Sequence, residues 1–186
     1  MKQLLIYFLL SIPLLVLNLQ ILVFENVVDP IKYIYTVTGA TATVILYFSI
    51  TISLISKKIN LLKYRRLIGL FGFFYALLHL LNFIVFDAEF SMIFIIEETF
   101  DKPFIYLGMI AFFILLFMSF TSTKSLFKKY KTKHQIIYIA LILITIHFIM
   151  AQKSLSILQY SYLVMIIILA YYKVLQKINK LLLGLS

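Results

Sequence analysis

The chain has no cysteine and no tryptophan, and its 186 residues include only five glycines, three prolines and seven acidic side chains. Without thiols there can be no disulfide, no iron–sulfur cluster, no thiolate zinc site and no covalently attached c-type haem. The sparse glycines form neither a Walker loop nor a GxGxxG turn, and no soluble domain that would hold NAD or FAD is legible. What fills the sequence is hydrocarbon. The chain is 63% hydrophobic with a mean hydropathy of +1.06, far above a soluble domain. Its length suits one membrane domain of about six spans at ~20 residues each.

A net charge of +10 on its own would fit nucleic acid or anionic lipid. The distribution of the charges excludes nucleic acid and points to topology instead. Apolar runs at 3–24, 36–56, 67–86, 104–122, 135–151 and 157–172 alternate with two kinds of connector. Segments 57–66, 123–133 and the tail from Lys173 hold most of the Lys and Arg. Segments 25–35, 87–103 and 152–156 hold every acid: Glu25, Asp29, Asp87, Glu89, Glu97, Glu98 and Asp101. The positive-inside rule then predicts an all-α, six-helix integral membrane bundle, residues 1–186 as a single domain, with both termini cytoplasmic. The first run lacks a small-residue cleavage site before Glu25 and reads as a retained span rather than a signal peptide. The apolar centre of 87–103 predicts a short interfacial helix. Segment 29–36 is a second candidate for one, with Asp29-Pro30 as its start signal.

The three histidines all lie in or at these runs. His79 is 13 residues beyond Arg66 in the third run, and His147 is 13 residues beyond His134 in the fifth. Both runs enter from the same side, so His79 and His147 reach a matched depth, about 20 Å along the axis at 1.5 Å per residue. A titratable ring in hydrocarbon is costly without a partner. A single intramembrane His often does no more than bond a neighbouring helix, but two at one depth on two helices suit the axial ligation of a b-type haem. Gly69, Gly72, Ala76 and His79 share one helical face, where small residues admit either a flat macrocycle or another helix. Thirteen residues at ~100° each put His134 roughly 140° away from His147. His134 is thus either the ligand of a second cofactor at another azimuth or a solvated interfacial side chain among lysines.

Several segments together resemble the MsrQ (YedZ) family: Asp29-Pro30-Ile31-Lys32, Thr38-Gly39, Arg65-Arg66-Leu67-Ile68-Gly69-Leu70, Leu78-His79-Leu80, Lys102-Pro103-Phe104, Leu107-Gly108, Phe120-Thr121-Ser122-Thr123, and His134 with Tyr138 and His147. The resemblance covers roughly residues 29–153. It implies the ferric-reductase-like transmembrane fold and a multi-pass protein of the bacterial inner membrane. It also implies haem b, one or two per chain, with FMN as a further cofactor. His79 and His147 would ligate the outer haem, and His134 would serve an inner haem or flavin. Arg65 and Arg66 would pair with propionates or a flavin phosphate, or act only as topology charges. Relatives in the wider group carry two His on each of two helices; here the position 13 residues before His79 is Arg66. The implied role is electron transfer from quinone or a cytosolic flavin reductase to MsrP, a periplasmic molybdopterin subunit that reduces methionine sulfoxide. A stand-alone ferric-reductase-like cytochrome and a small non-redox transporter are the alternatives. The topology is directly testable: a cytoplasm-active reporter fused after Ser186 should be active, and a periplasmic C-terminus would reverse the orientation.

Overall fold

In the computed structural model, residues 2–55, 62–130 and 132–151 are described, with a few isolated residues beyond. Among the described residues the chain is helical and has no strand. Helix α1 (Lys2–Asn18) runs on through a π-turn at Leu19–Val23. Helix α2 (Pro30–Ile55) begins where the sequence signals it: the Asp29 carboxylate accepts the Lys32 amide at 3.0 Å, and Pro30 occupies the first turn, where a missing N–H costs nothing. Segment 29–36 is therefore not a separate interfacial piece but the opening of α2. No breaker interrupts it, and the hydroxyls of Thr36, Thr38, Thr43 and Thr51 donate back to carbonyls of the preceding turn.

Helix α3 (Arg65–Asn82) likewise ends in a π-turn, Phe83–Asp87. The expected short helix of the third connector is α4 (Met92–Asp101), capped by Ser91, whose hydroxyl accepts the Phe94 amide. A Lys102–Glu98 ion pair and Pro103 then start α5 (Pro103–Phe120). The basic connector after α5 contains a short helix, α6 (Lys124–Tyr130), and a 3-10 turn at Lys133–Ile136 leads into α7 (Ile137–Met150). Among the described residues, five helices are long and apolar enough to cross a membrane: Gln3–Val23, Pro30–Ile52, Arg65–Asp87, Pro103–Phe120 and Lys133–Met150. The sixth expected span, 157–172, lies largely outside the described residues.

Two intimate helix pairs, α2 with α3 and α5 with α7, form the bundle, and α3–α5 and α2–α7 contacts join them. Lipid tails are as apolar as leucine, so helices in a membrane associate through close packing and hydrogen bonds rather than hydrophobic drive. Both devices are present. A Cβ on Gly72 would stand 2.8 Å from Leu46 of α2, so the glycine sets the α2–α3 approach. Gly69 faces Ser49 of the same helix. The Gly69/Gly72/Ala76 stripe thus receives α2 rather than a macrocycle. Between the pairs, the buried Tyr47 hydroxyl lies 2.5 Å from Thr145 Oγ1 and donates to the Leu141 carbonyl at 3.1 Å, linking α2 to α7. One apolar cluster surrounds this link (Leu46, Ile50, Leu115, Ala140, Leu141). A second cluster, containing Ile45, Ile68 and Tyr75, takes α1 against it through Ile6, Leu10 and Leu14. The Tyr75 hydroxyl donates to the Leu10 carbonyl at 2.8 Å. Large apolar side chains such as Leu4, Phe8, Phe113 and Ile142 point outward, as a lipid solvent requires.

These two devices should differ in weight. Tyr47→Phe removes the hydroxyl that makes both interhelical contacts and should cost about 0.6–1.7 kcal/mol. Gly72→Val puts branched carbon where Leu46 already sits and should cost more, since overpacking typically costs about 1–3 kcal/mol. Thermal unfolding of both variants in detergent checks the order; equal or reversed losses would contradict the packing described.

Candidate functional site

The acidic end of the bundle holds the two deepest histidines. His79 comes from α3 and His147 from α7, with ring centres 6.1 Å apart and ring planes at 89°. Each is held the same way by the helix paired with its own. His79 Nδ1 lies 3.2 Å from the Tyr35 carbonyl of α2, and His147 Nδ1 lies 2.6 Å from the Phe104 carbonyl of α5. A carbonyl can only accept, so in both rings Nδ1 carries the proton and Nε2 is left with its lone pair. Thr38 Oγ1 stands 3.4 Å from His79 Nδ1 as an additional polar neighbour.

Glycine makes both seats possible. In a helix each Cα–Cβ bond tilts toward the N-terminus, so a side chain overhangs the preceding turn. Gly39 follows Tyr35 by one turn, and Gly108 follows Phe104 by one turn. A Cβ on Gly39 would meet His79 Nδ1 and Cε1 at 3.0 Å; one on Gly108 would meet His147 Nδ1 at 2.9 Å. Their bare backbones let each imidazole reach a carbonyl that another residue would cover. Around the pair stand the Tyr35 ring, 5.3 Å from His79 and edge-on, and Phe104, 6.0 Å from His147.

This donor set fits a haem. A metal–imidazole bond is ~2 Å, so two imidazoles on opposite sides of one iron have ring centres roughly 6 Å apart. The observed separation agrees. Metal-bound histidines characteristically give their other N–H to a carbonyl or carboxylate, which fixes the tautomer and raises ligand basicity. No cluster of three or more His, Asp or Glu that would cage a bare ion occurs among the described residues.

The remaining predicted residues lie at the opposite, basic end. His134 sits in the 3-10 turn before α7, its Nε2 3.0 Å from Thr121 Oγ1 and its ring 4.8 Å from Phe127. It therefore engages the nitrogen that the other two histidines leave open. Arg65 is exposed at the start of α3, close enough to His134 for their charges to interact. Arg66 is exposed beside it. The structure thus brings together His79 with His147, and His134 with Arg65, as two separate groups. Sequence reading quoted Gly39 and Gly108 only as matching motifs, and missed their role as seats. The available signal was that only five glycines exist and that each intramembrane His follows one of them at nearly the same interval, with 44 and 43 residues between each His and the carbonyl that holds it.

Comparison with known proteins finds relatives among membrane proteins. Residues 55–145 match the family described as the ferric reductase like transmembrane component. Over 119 residues the chain is 37% identical to the magnetosome protein MamZ of Magnetospirillum gryphiswaldense, covering 61% of this chain and 18% of MamZ. Over 132 residues it is 33% identical to the protein-methionine-sulfoxide reductase heme-binding subunit MsrQ of Brucella ovis, covering 68% of this chain and 60% of that protein. The match thus spans less than two thirds of either relative. No solved structure matches the chain. These sequence matches identify the chain as a ferric-reductase-like membrane protein of the MsrQ family.

Proposed function

We propose that the chain is a b-type haem electron-transfer subunit of the bacterial inner membrane, with His79 and His147 as axial ligands. The observation that carries this reading is the pair of seats: two imidazoles 6.1 Å apart, each with Nδ1–H on a backbone carbonyl and Nε2 free. When bound, haem supplies a one-electron iron couple. The chain's part is to orient both rings, fix their tautomers and keep water away from the bundle interior. In the six-span topology with both termini cytoplasmic, the acidic end faces the periplasm. The His134–Arg65–Arg66 end then faces the cytoplasm, where it would take a second haem or FMN and receive electrons from quinone or a flavin reductase. The outer acceptor, by kinship with MsrQ, is a molybdopterin methionine sulfoxide reductase of the MsrP type. A second reading, direct reduction of ferric iron at the outer face, draws on the ferric-reductase-like family match.

Reduced-minus-oxidised spectra test the ligands. His79→Ala and His147→Ala should each abolish the same low-spin haem signal; survival of the signal in either variant would show that the two are not co-ligands. Gly39→Ala and Gly108→Ala should weaken haem retention about 10–100-fold, the usual cost of disturbing a ligand's supporting partner.

Reoxidation tests the partner. Dithionite-reduced protein in membranes should be reoxidised by MsrP plus methionine sulfoxide, and not by the sulfoxide alone. Every acid of the sequence lies in the outer connectors, so added salt should slow the encounter with a basic docking face. Equal rates with the sulfoxide alone would make the chain a terminal reductase. Reoxidation by a ferric chelate but not by MsrP would favour the second reading.

A further inference from the structure

One polar contact near the two seats has no role in holding α2 against α3 at the centre of the bundle. The Tyr35 hydroxyl donates to Asp87 Oδ2 at 2.6 Å. Tyr35 is also the residue whose carbonyl holds His79 and whose ring stands edge-on to that imidazole. Asp87 therefore connects to His79 through a single residue.

The backbone is shaped for this contact. Asp87 is eight residues beyond His79, which on an uninterrupted α-helix would place it ~80° around the axis. The π-turn Phe83–Asp87 intervenes, closed by the Ala88 amide on the Phe83 carbonyl at 2.9 Å. A π-turn absorbs roughly one residue without advancing the helix. Asp87 then counts as about seven residues on, two turns, and returns to the face that carries His79. The chain leaves this point sharply, with positive φ at Glu89 (45°) and Phe90 (63°), so Asp87 is set by the end of the helix and not by a loose loop. A second tie at this level, the Asn82 amide on the Ile31 carbonyl at 3.3 Å, keeps the same two helices together.

We propose that Asp87, through its hydrogen bond to Tyr35, is a positioning residue for His79 that holds down the reduction potential of the haem. The inference rests on the assignment of His79 as an axial ligand. Two effects act in one direction. The anchored Tyr35 keeps its carbonyl on Nδ1–H, and a firmly held Nδ1–H makes Nε2 a more basic ligand, which favours the ferric state. The carboxylate, a negative charge beside a site whose oxidised form is the more positive, favours that state as well.

The test is potentiometry and electron paramagnetic resonance on the haem-loaded, full-length protein in nanodiscs. Asp87→Asn and Tyr35→Phe preserve shape and retain the backbone carbonyl at 35 while loosening the anchor that holds it. Each should raise the midpoint, moving the reduced-to-oxidised ratio at the wild-type midpoint about threefold or more toward reduced, which is about 28 mV for a one-electron couple at 59 mV per tenfold. Each should also shift the g values of the low-spin ferric signal. The shift in the double variant should be smaller than the sum of the two single shifts, because the amide at 87 weakens, and loss of the hydroxyl removes, one and the same link. Glu89→Gln removes a nearby exposed charge that has no bond to Tyr35 and should move the ratio less than about 1.5-fold. Wild-type midpoint and g values in Asp87→Asn and Tyr35→Phe would overturn the proposal while leaving the ligands intact. Additive shifts in the double variant would overturn it too, since Asp87 and Tyr35 would then act independently of each other. A haem signal that survives His79→Ala would defeat the ligand assignment and this proposal together.

Discussion

In hydrocarbon no water is available to satisfy a stray N–H, so an imidazole placed in a membrane helix must find its partner inside the protein. The rest of the site follows from how that requirement is met here. Ring nitrogens compete for acceptors with backbone amides that already occupy the helix carbonyls. A carbonyl has two lone pairs, and a glycine one turn later leaves the second one reachable. Gly39 and Gly108 open the carbonyls of Tyr35 and Phe104, and His79 and His147 take them. Satisfying the Nδ1 protons by backbone simultaneously leaves both Nε2 lone pairs uncommitted.

That arrangement also explains why the bundle is built from pairs. A His can use a neighbour's carbonyl only if the two helices approach closely and hold their register. Gly72 against Leu46 secures this for α2 and α3. The Tyr47 link to Leu141 and Thr145 then fixes one pair against the other below the histidines. A slip of one residue between α2 and α3 would rotate His79 by ~100° relative to the Tyr35 carbonyl and leave its N–H without a partner. The packing glycines and the seat glycines therefore serve one end: the first set the distance, and the second use it.

Much of this could be read from residues alone. Four of the spans were recoverable within a few residues at both ends, and the second at its far end, because an apolar run of ~20 is an unambiguous signal. The equal offsets of His79 and His147 from basic entry points placed both rings at one level. Other features were hidden for identifiable reasons. Every residue carries a carbonyl, so nothing in the letters Tyr35 or Phe104 marks them as acceptors; only the cross-helix register selects them. The stripe Gly69, Gly72, Ala76 reads equally as a groove for a cofactor or for a helix, and which one occupies it is a tertiary fact. The start of α2 at Pro30 was obscured because apolar scoring discounts the polar turns of 29–36, although Asp29-Pro30 marked the boundary correctly. The π-turn at Phe83–Asp87 has no sequence signature, and without it Asp87 would have been assigned to the wrong face.

The two ends of the bundle solve different problems, and the difference lies in which nitrogen is committed. At the acidic end, backbone acceptors take Nδ1 and Nε2 remains open in both rings. At the basic end, His134 offers Nε2 to the Thr121 hydroxyl, in a 3-10 turn rather than a helix, beside exposed arginines and lysines. A hydroxyl can turn and donate elsewhere, as Thr121 Oγ1 already does to the Phe117 carbonyl at 2.8 Å, whereas a helix carbonyl cannot be withdrawn. The acidic end thus holds two imidazoles in fixed orientation. The basic end has one exchangeable partner and a surrounding positive charge suited to an anionic group.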